Sequence, residues 1–188
     1  MRTVPRYMTP AIMTAVLIML SAGRDCSAAE KNTSTENDVT PSAENIWYES
    51  WDDGMAAAKR DGKPVVVDFF TTWCGPCQGM EKEVFPDPEV RKRLEYDWVC
   101  IHIDCGDRSK YGTIDGRKMN YVDLNDYYRV HAVPTFLFFD TGGKPVQKFL
   151  GYIDKEEFCC ILDYMRDEVY ASGMTFRDYQ KKKAGKGK

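Results

Sequence analysis

The chain reads as one α/β domain, a mixed central sheet with helices on both faces, and three observations predict it. Val65–Phe70 (VVVDFF) is a β-branched, nearly continuous apolar run, as expected of a strand buried on both sides. Helix-like and strand-like segments alternate along the chain instead of segregating into blocks. The 188 residues, 43% apolar and 29% charged, have the composition of an ordinary globular protein. A core of roughly 150 residues needs no covalent staple, so the seven cysteines are free to be read as chemistry.

Residues 1–29 have the features of a secretory signal. Arg2 and Arg6 precede the apolar stretch Ala11–Leu20, and small residues follow, with Ser27-Ala28-Ala29 the expected cleavage site and Ser21-Ala22-Gly23 a second option. A signal anchor is the alternative, but the stretch is short for a membrane span. Charged Arg24 and Asp25 before Cys26 argue against a lipid anchor there. The expected location is periplasmic or secreted, where disulfides persist. Residues 30–45 are polar and aperiodic, a disordered leader.

The folded part is expected to span residues 46–172. Ser50 can cap a helix over Trp51–Arg60, whose alanines favour that state and which Asp61-Gly62-Lys63-Pro64 ends. The Val65–Phe70 strand leads through Thr71-Thr72-Trp73-Cys74-Gly75-Pro76-Cys77 into a helix over Gln78–Val84. Pro86 and Pro88 break that helix, and Asp87 can cap another over Pro88–Tyr96. Trp98–Asp104 alternates like a strand, whereas residues 105–120, with three glycines, are loop-like and hold either a hairpin or a disordered excursion. A short helix over Tyr121–Arg129, strands at Phe136–Phe139 and Pro145–Leu150 around a Thr141–Lys144 turn, and a last helix over Lys155–Ala171 complete the domain. Residues 173–188 read as a basic, solvated tail, the Lys181–Lys183 run included.

A net charge of −3 argues against a general polyanion binder, and no phosphate loop, nucleotide fingerprint or Ser/His/Asp set is present. Nucleic acid is therefore not an expected partner. Membrane contact is expected only through the signal segment or the basic tail.

Cys74 and Cys77 carry the strongest signal. A CxxC pair can be half of a zinc site, a structural disulfide or a redox dithiol. A structural zinc ion takes four ligands. No second CxxC exists, His102 and His131 are isolated in sequence, and Cys159-Cys160 have poor chelating spacing. The pair falls between a buried strand and a helix start. There, unpaired backbone N–H groups and the positive end of the helix dipole stabilise a thiolate at Cys74. Cys77, one turn on, is placed to resolve a mixed disulfide formed on Cys74.

With VVVDFF before it and Val133-Pro134-Thr135 some sixty residues later, WCGPC resembles the thioredoxin superfamily over about Trp51–Met165. DGKPVVVDF, EKEVFPDPEV and the loop insertion resemble an exported branch whose first active-site helix is interrupted, here near Phe85–Val90. The resemblance implies a thioredoxin fold. It also implies that Trp73 flanks the dithiol, that Gly75 and Pro76 fix its turn, and that Val133, Pro134 and Thr135 form a cis-proline loop facing it. Asp68 matches the family's buried acid, which helps Cys77 exchange its proton; burial is expected to raise its pKa. The alternative is a strand carboxylate facing solvent. One departure is expected. The lysine that the family sets beside this acid, on the neighbouring strand, falls at Cys100.

The remaining candidates read as ordinary. Cys100 is a buried strand thiol, and Cys105 lies at a strand end. Cys159 and Cys160 are helix neighbours that point apart and do not bridge each other. His131 is a surface residue near the Pro134 loop, His102 a mid-strand residue. The function expected is that of an exported thiol–disulfide oxidoreductase serving cell redox homeostasis. It would reduce protein or small-molecule disulfides through a mixed disulfide on Cys74, and a membrane thiol carrier would recharge it. No metal or organic cofactor is implied beyond the redox-active Cys74–Cys77 pair. An oxidase or isomerase of the same fold, or a non-catalytic peptide-binding module, is the alternative.

Overall fold

A computed structural model describes residues 45–186. The expected signal segment and nearly all of the leader lie outside the described residues. Among the described residues no helix is long and apolar enough to cross a membrane.

Five strands form one sheet in the order β1 (Trp47–Tyr48), β3 (Val99–Asp104), β2 (Val65–Phe70), β6 (Thr135–Phe139), β7 (Pro145–Leu150). The first three are mutually parallel; β6 is antiparallel to β2, and β7 is antiparallel to β6. This is the mixed sheet the sequence predicts, with β2 central, as its unbroken apolar run requires. Alternation along β2 divides the core. Val65, Val67 and Phe69 face one side, with α1 (Trp51–Asp61) and α4 (Tyr121–Tyr127). Val66 faces the other, against α3 (Pro88–Asp97) and α5 (Lys155–Arg166). Asp68 shares the face of Val66 by its position in the strand and is only 1% exposed.

The helix ends follow their caps. Ser50 Oγ accepts the Asp53 N–H at the start of α1, and Gly62 closes that helix with φ 64°, a conformation that favours glycine. Asp87 caps α3. The helix after the dithiol begins earlier than Gln78. Cys74 is itself the cap of α2 (Gly75–Gly79), which runs on into a π-helical turn, Met80–Val84, closed by Phe85 N–H donating to Met80 O at 2.9 Å.

Residues 105–120 are ordered in part as a hairpin, β4 (Tyr111–Ile114) with β5 (Arg117–Asn120). It is pinned to α1 by Thr113 N–H donating to Asp52 Oδ1 at 2.7 Å and by a close approach of Gly112 to the Trp51 ring. A Cβ at Gly112 would meet that ring at 2.7 Å, closer than van der Waals contact permits.

Two expectations at the C-terminus need correction. The last core helix stops at Arg166, not Ala171, because Glu168 takes a left-handed conformation (φ 50°) and a 3₁₀ turn, Val169–Ser172, follows. Beyond it, the supposed tail forms α6 (Phe176–Lys186). Thr175 Oγ1 accepts the Asp178 N–H at 3.2 Å and starts this helix. Phe176 packs edge-on against Tyr164 and Phe149, with ring centroids 5.5 and 5.2 Å away. Lys183 Nζ sits 2.7 Å from Asp163 Oδ2, whose other oxygen meets Arg93 at 3.1 Å. Burial raises the Asp163 carboxyl, but Lys183 and Arg93 more than offset that and hold it below its ordinary value. Lys183 therefore belongs to a partly buried ion cluster rather than to a solvated run.

Candidate active site

Strand β2 delivers the chain to Thr71, and the turn through Trp73 places Cys74 at the start of α2. A disulfide joins Cys74 to Cys77, with their Cα atoms 5.3 Å apart. Cys74 Sγ accepts the Cys77 backbone N–H at 3.2 Å, so a sulfur occupies the capping position that a serine or aspartate oxygen usually fills. The pair itself is buried, 6% and 3% exposed, whereas Trp73 beside it is 78% exposed; Gly75 and Pro76 are exposed too.

Opposite the dithiol, the Val133–Pro134 peptide bond is cis, and Val133 O lies 3.6 Å from Cys74 Sγ. Thr135 Oγ1 donates to Ala132 O at 2.6 Å, and Pro134 O accepts from Gly151 N–H at 2.8 Å, which fixes the loop from both sides. Of the sequence-predicted residues, Trp73, Gly75 and Pro76 adjoin the sulfur pair along the chain, and the loop of Val133, Pro134 and Thr135 reaches it through Val133 O.

Asp68 lies next to a partner the sequence reading did not assign. The β2–β3 register sets Asp68 against His102 and Val66 against Cys100. In this chain the β3 residue beside Asp68 is therefore His102, two residues from Cys100 along the same face. Both residues satisfy the strand's alternation, and sequence alone does not fix register. His102 Nε2 lies 3.1 Å from Asp68 Oδ2 and 3.2 Å from Glu81 Oε1. It stands between the two carboxylates within ion-pair range, with its N–H aligned on neither. The imidazole is stacked on Phe70 at 3.8 Å between centroids and flanked by Trp47 at 5.1 Å. Glu81, four residues after Cys77 on the π turn, was also missed; that spacing was the available signal.

Burial raises the Asp68 carboxyl, and His102 draws it partly back. The Glu81 carboxyl is raised by its own partial burial; His102 lowers it and Asp68 adds to the rise. An open cleft of about 290 Å³ gives onto this cluster, lined among others by Cys77, Gln78, Glu81, His102, Trp47 and Phe70.

Among the described residues the other cysteines, Cys100, Cys105, Cys159 and Cys160, are unpaired. Burial pushes the Cys100 thiol far up and the Cys105 thiol up to about 12. Cys159 and Cys160 are half-buried and do not bridge each other. His131 is exposed.

The family model described as a thioredoxin-like domain matches residues 51–166. This chain belongs to the thioredoxin-like family. Chloroplastic thioredoxin Y from Oryza sativa subsp. japonica is 30% identical over 149 residues, 79% of this chain and 75% of that protein. The thiol:disulfide interchange protein DsbD of Escherichia coli strain K12 is 32% identical over 106 residues, 55% of this chain but only 17% of that protein. Among solved structures, a thioredoxin from Thermus thermophilus is 27% identical with a TM-score of 0.55, covering 68% of this chain and 92% of that one. A thioredoxin-fold protein from Helicobacter pylori, 20% identical with a TM-score of 0.55, shares the fold over 65% of this chain and 80% of its own. The thioredoxin-like chain is accordingly a thiol–disulfide oxidoreductase, with its cysteine pair at a strand–helix junction.

Proposed function

We propose that this oxidoreductase is an exported reductant of protein or small-molecule disulfides. The observation that carries the reading is the placement of Cys74 as a sulfur helix cap, 3.2 Å from the Cys77 N–H and facing the Val133–Pro134 loop. In the reduced protein, the Cys74 thiolate attacks a substrate disulfide, forming a mixed disulfide and releasing one substrate thiolate. Cys77 then attacks Cys74 Sγ, releasing the second substrate thiol and restoring the Cys74–Cys77 disulfide. Two electrons pass to the substrate. Asp68, its carboxyl raised by burial, takes the Cys77 proton. Trp73, Gly75 and Pro76 shape the approach, and the backbone around Val133, Pro134 and Thr135 lines up a substrate strand. The dithiol carries the exchange without a cofactor. A thiol carrier returns the two electrons, and the similarity to part of DsbD supports a periplasmic carrier in that role.

The charges beside Cys77 support this direction. Carboxylates beside Cys77 disfavour its thiolate, which only the reduced form can bear, and so favour the disulfide. A stable disulfide belongs to a reductant. The potential of the Cys74–Cys77 couple tests this: a value near that of thioredoxin, about −270 mV, is expected, and one towards about −120 mV makes the protein an oxidant instead.

A further inference from the structure

The cluster beside the dithiol is an unusual way to bury charge. Asp68 is almost wholly enclosed, Glu81 is half-buried, and one imidazole stands between them. Neither His102 Nε2 nor Asp68 Oδ1 has a hydrogen-bond partner among the described residues. Two carboxylates share a single nitrogen that is aligned on neither, a costly arrangement for groups removed from water.

We propose that Asp68, Glu81 and His102 are the protein ligands of a divalent cation of the zinc class, bound beside Cys77, and that its binding withholds the dithiol from exchange. One imidazole nitrogen and two carboxylate oxygens are the donor types that Zn²⁺ and Co²⁺ take. Their donor atoms all lie within 4.8 Å of one another. Ligand bonds of about 2.0–2.1 Å at tetrahedral angles set neighbouring donors about 3.3–3.4 Å apart. The two contacts of His102, at 3.1 and 3.2 Å, already match that spacing to within a few tenths of an ångström. The remaining edge closes by rotation of Glu81, whose side chain is 44% exposed and free to turn. The charges also balance: two carboxylates and a neutral imidazole match a doubly charged ion.

The surroundings supply the rest of a site. Stacking on Phe70 and the flank of Trp47 fix the imidazole plane, the task an outer shell performs for a ligating histidine. The cleft of about 290 Å³ reaches Glu81, His102 and Cys77, giving the ion an entry path and the fourth position to water. Cys77 lines the same cleft, and once the disulfide is reduced its thiolate is a preferred ligand of this class of ion. A bound ion then holds Cys77 back from resolving a mixed disulfide. The donor set contains neither an isolated CxxC nor a cysteine quartet, which is why cysteine spacing did not point to it.

The inhibitory half rests on the exchange reaction proposed above; the binding half does not, and the experiment separates them. The oxidised protein, stripped with chelator, is titrated with Co²⁺ and then with Zn²⁺. One equivalent of Co²⁺ should bind with ligand-field absorption and no sulfur-to-cobalt charge transfer, and Zn²⁺ should displace it. Glu81→Gln, a change at a half-exposed side chain, should weaken binding about tenfold or more, as should His102→Asn where it folds. Absence of binding by the oxidised protein overturns the site. So does binding that survives Glu81→Gln with thiolate charge transfer, since Cys100, Cys105, Cys159 or Cys160 would then hold the ion. Disulfide reduction is measured separately on metal-free protein. Its absence there refutes the exchange reading and leaves the site standing, whereas unchanged turnover at saturating Zn²⁺ refutes the inhibition.

Discussion

Replacing His102 with glutamine tests the electrostatics of the buried cluster directly. The change takes away the ionisable imidazole beside Asp68 Oδ2, and Oδ1 has no partner to begin with. Its carboxyl, already raised by burial, should rise further when the group that draws it back is removed. A carboxyl raised in the folded state contributes stability that is fully present below its unfolded value and is lost as pH climbs through the folded value. The variant should therefore lose less stability relative to the parent at low pH than at high pH. Loss of the Phe70 stack, with centroids 3.8 Å apart, adds a pH-independent cost of about 1 kcal/mol. Breaking one partner out of a buried charged pair costs about 3–5 kcal/mol when the other stays ionised. Protonation of Asp68 caps that, so a total near 3 kcal/mol is expected at pH 8. At about 2–4 °C per kcal/mol for a domain of this size, the melting temperature should fall by roughly 2–4 °C near pH 4 and 6–12 °C near pH 8. Glu81 titrates in the same sense, but its exposure screens it. Thermal melts across pH, in chelator, give the profile for the variant and for His102→Gln combined with Asp68→Asn. An equal loss at both pH values, or a double variant that keeps the slope, would refute the coupling.

Other consequences are quicker to check. Cys77→Ser leaves Cys74 without its resolving thiol, so mixed disulfides with substrates should accumulate on non-reducing gels; Cys74→Ser should trap none. Phe176→Ala removes a half-buried ring from two aromatic contacts and should cost about 2 kcal/mol, read as a lower denaturant midpoint at unchanged slope. Were the C-terminus a solvated tail, the same change would do nothing. Gly112→Ala pushes a methyl into the Trp51 ring and should destabilise by about 1–3 kcal/mol, with faster amide exchange in the β4–β5 hairpin as its local signature. In the reduced protein at neutral pH, mass spectrometry should find Cys74 alkylated first and Cys105, with its thiol pushed up to about 12, among the last.

The elements with local causes were legible in the sequence. Val65–Phe70 announces a central strand because nothing polar but Asp68 interrupts it, and Ser50, Asp87 and Asp154 announce helix starts because each cap acts within three residues of itself. The dithiol was legible for the same reason: four consecutive residues carry it. What depended on pairing was not. Cys100 and His102 both point to one face of β3, and only the register chooses His102 as the neighbour of Asp68. Strand β1, two residues long, has no pattern to recognise and exists because β3 offers it an edge. Helix α6 was hidden by its lysines; charge read along the chain suggested solvent. Phe176, Tyr179 and Lys183 lie on one face only once a helix is assumed.

The proposed reaction asks opposite things of two sulfurs held three residues apart, and their surroundings differ accordingly. Cys74 caps α2, where an N–H donor and the positive end of the peptide dipoles favour negative charge. Such positions bring a thiol from about 8.5 into the range of roughly 3.5–7.5, enough to make it the attacking group at neutral pH. Cys77 lies one turn inside and on the cleft that leads to Glu81 and His102. In the proposed exchange, burial and the neighbouring carboxylates keep it a thiol until a mixed disulfide forms beside it. His102 is the only basic side chain within ion-pair range of either acid among the described residues. If the cluster takes the Cys77 proton as proposed, its occupation by a cation would silence the exchange. Proton supply and metal inhibition thus compete for the same three side chains.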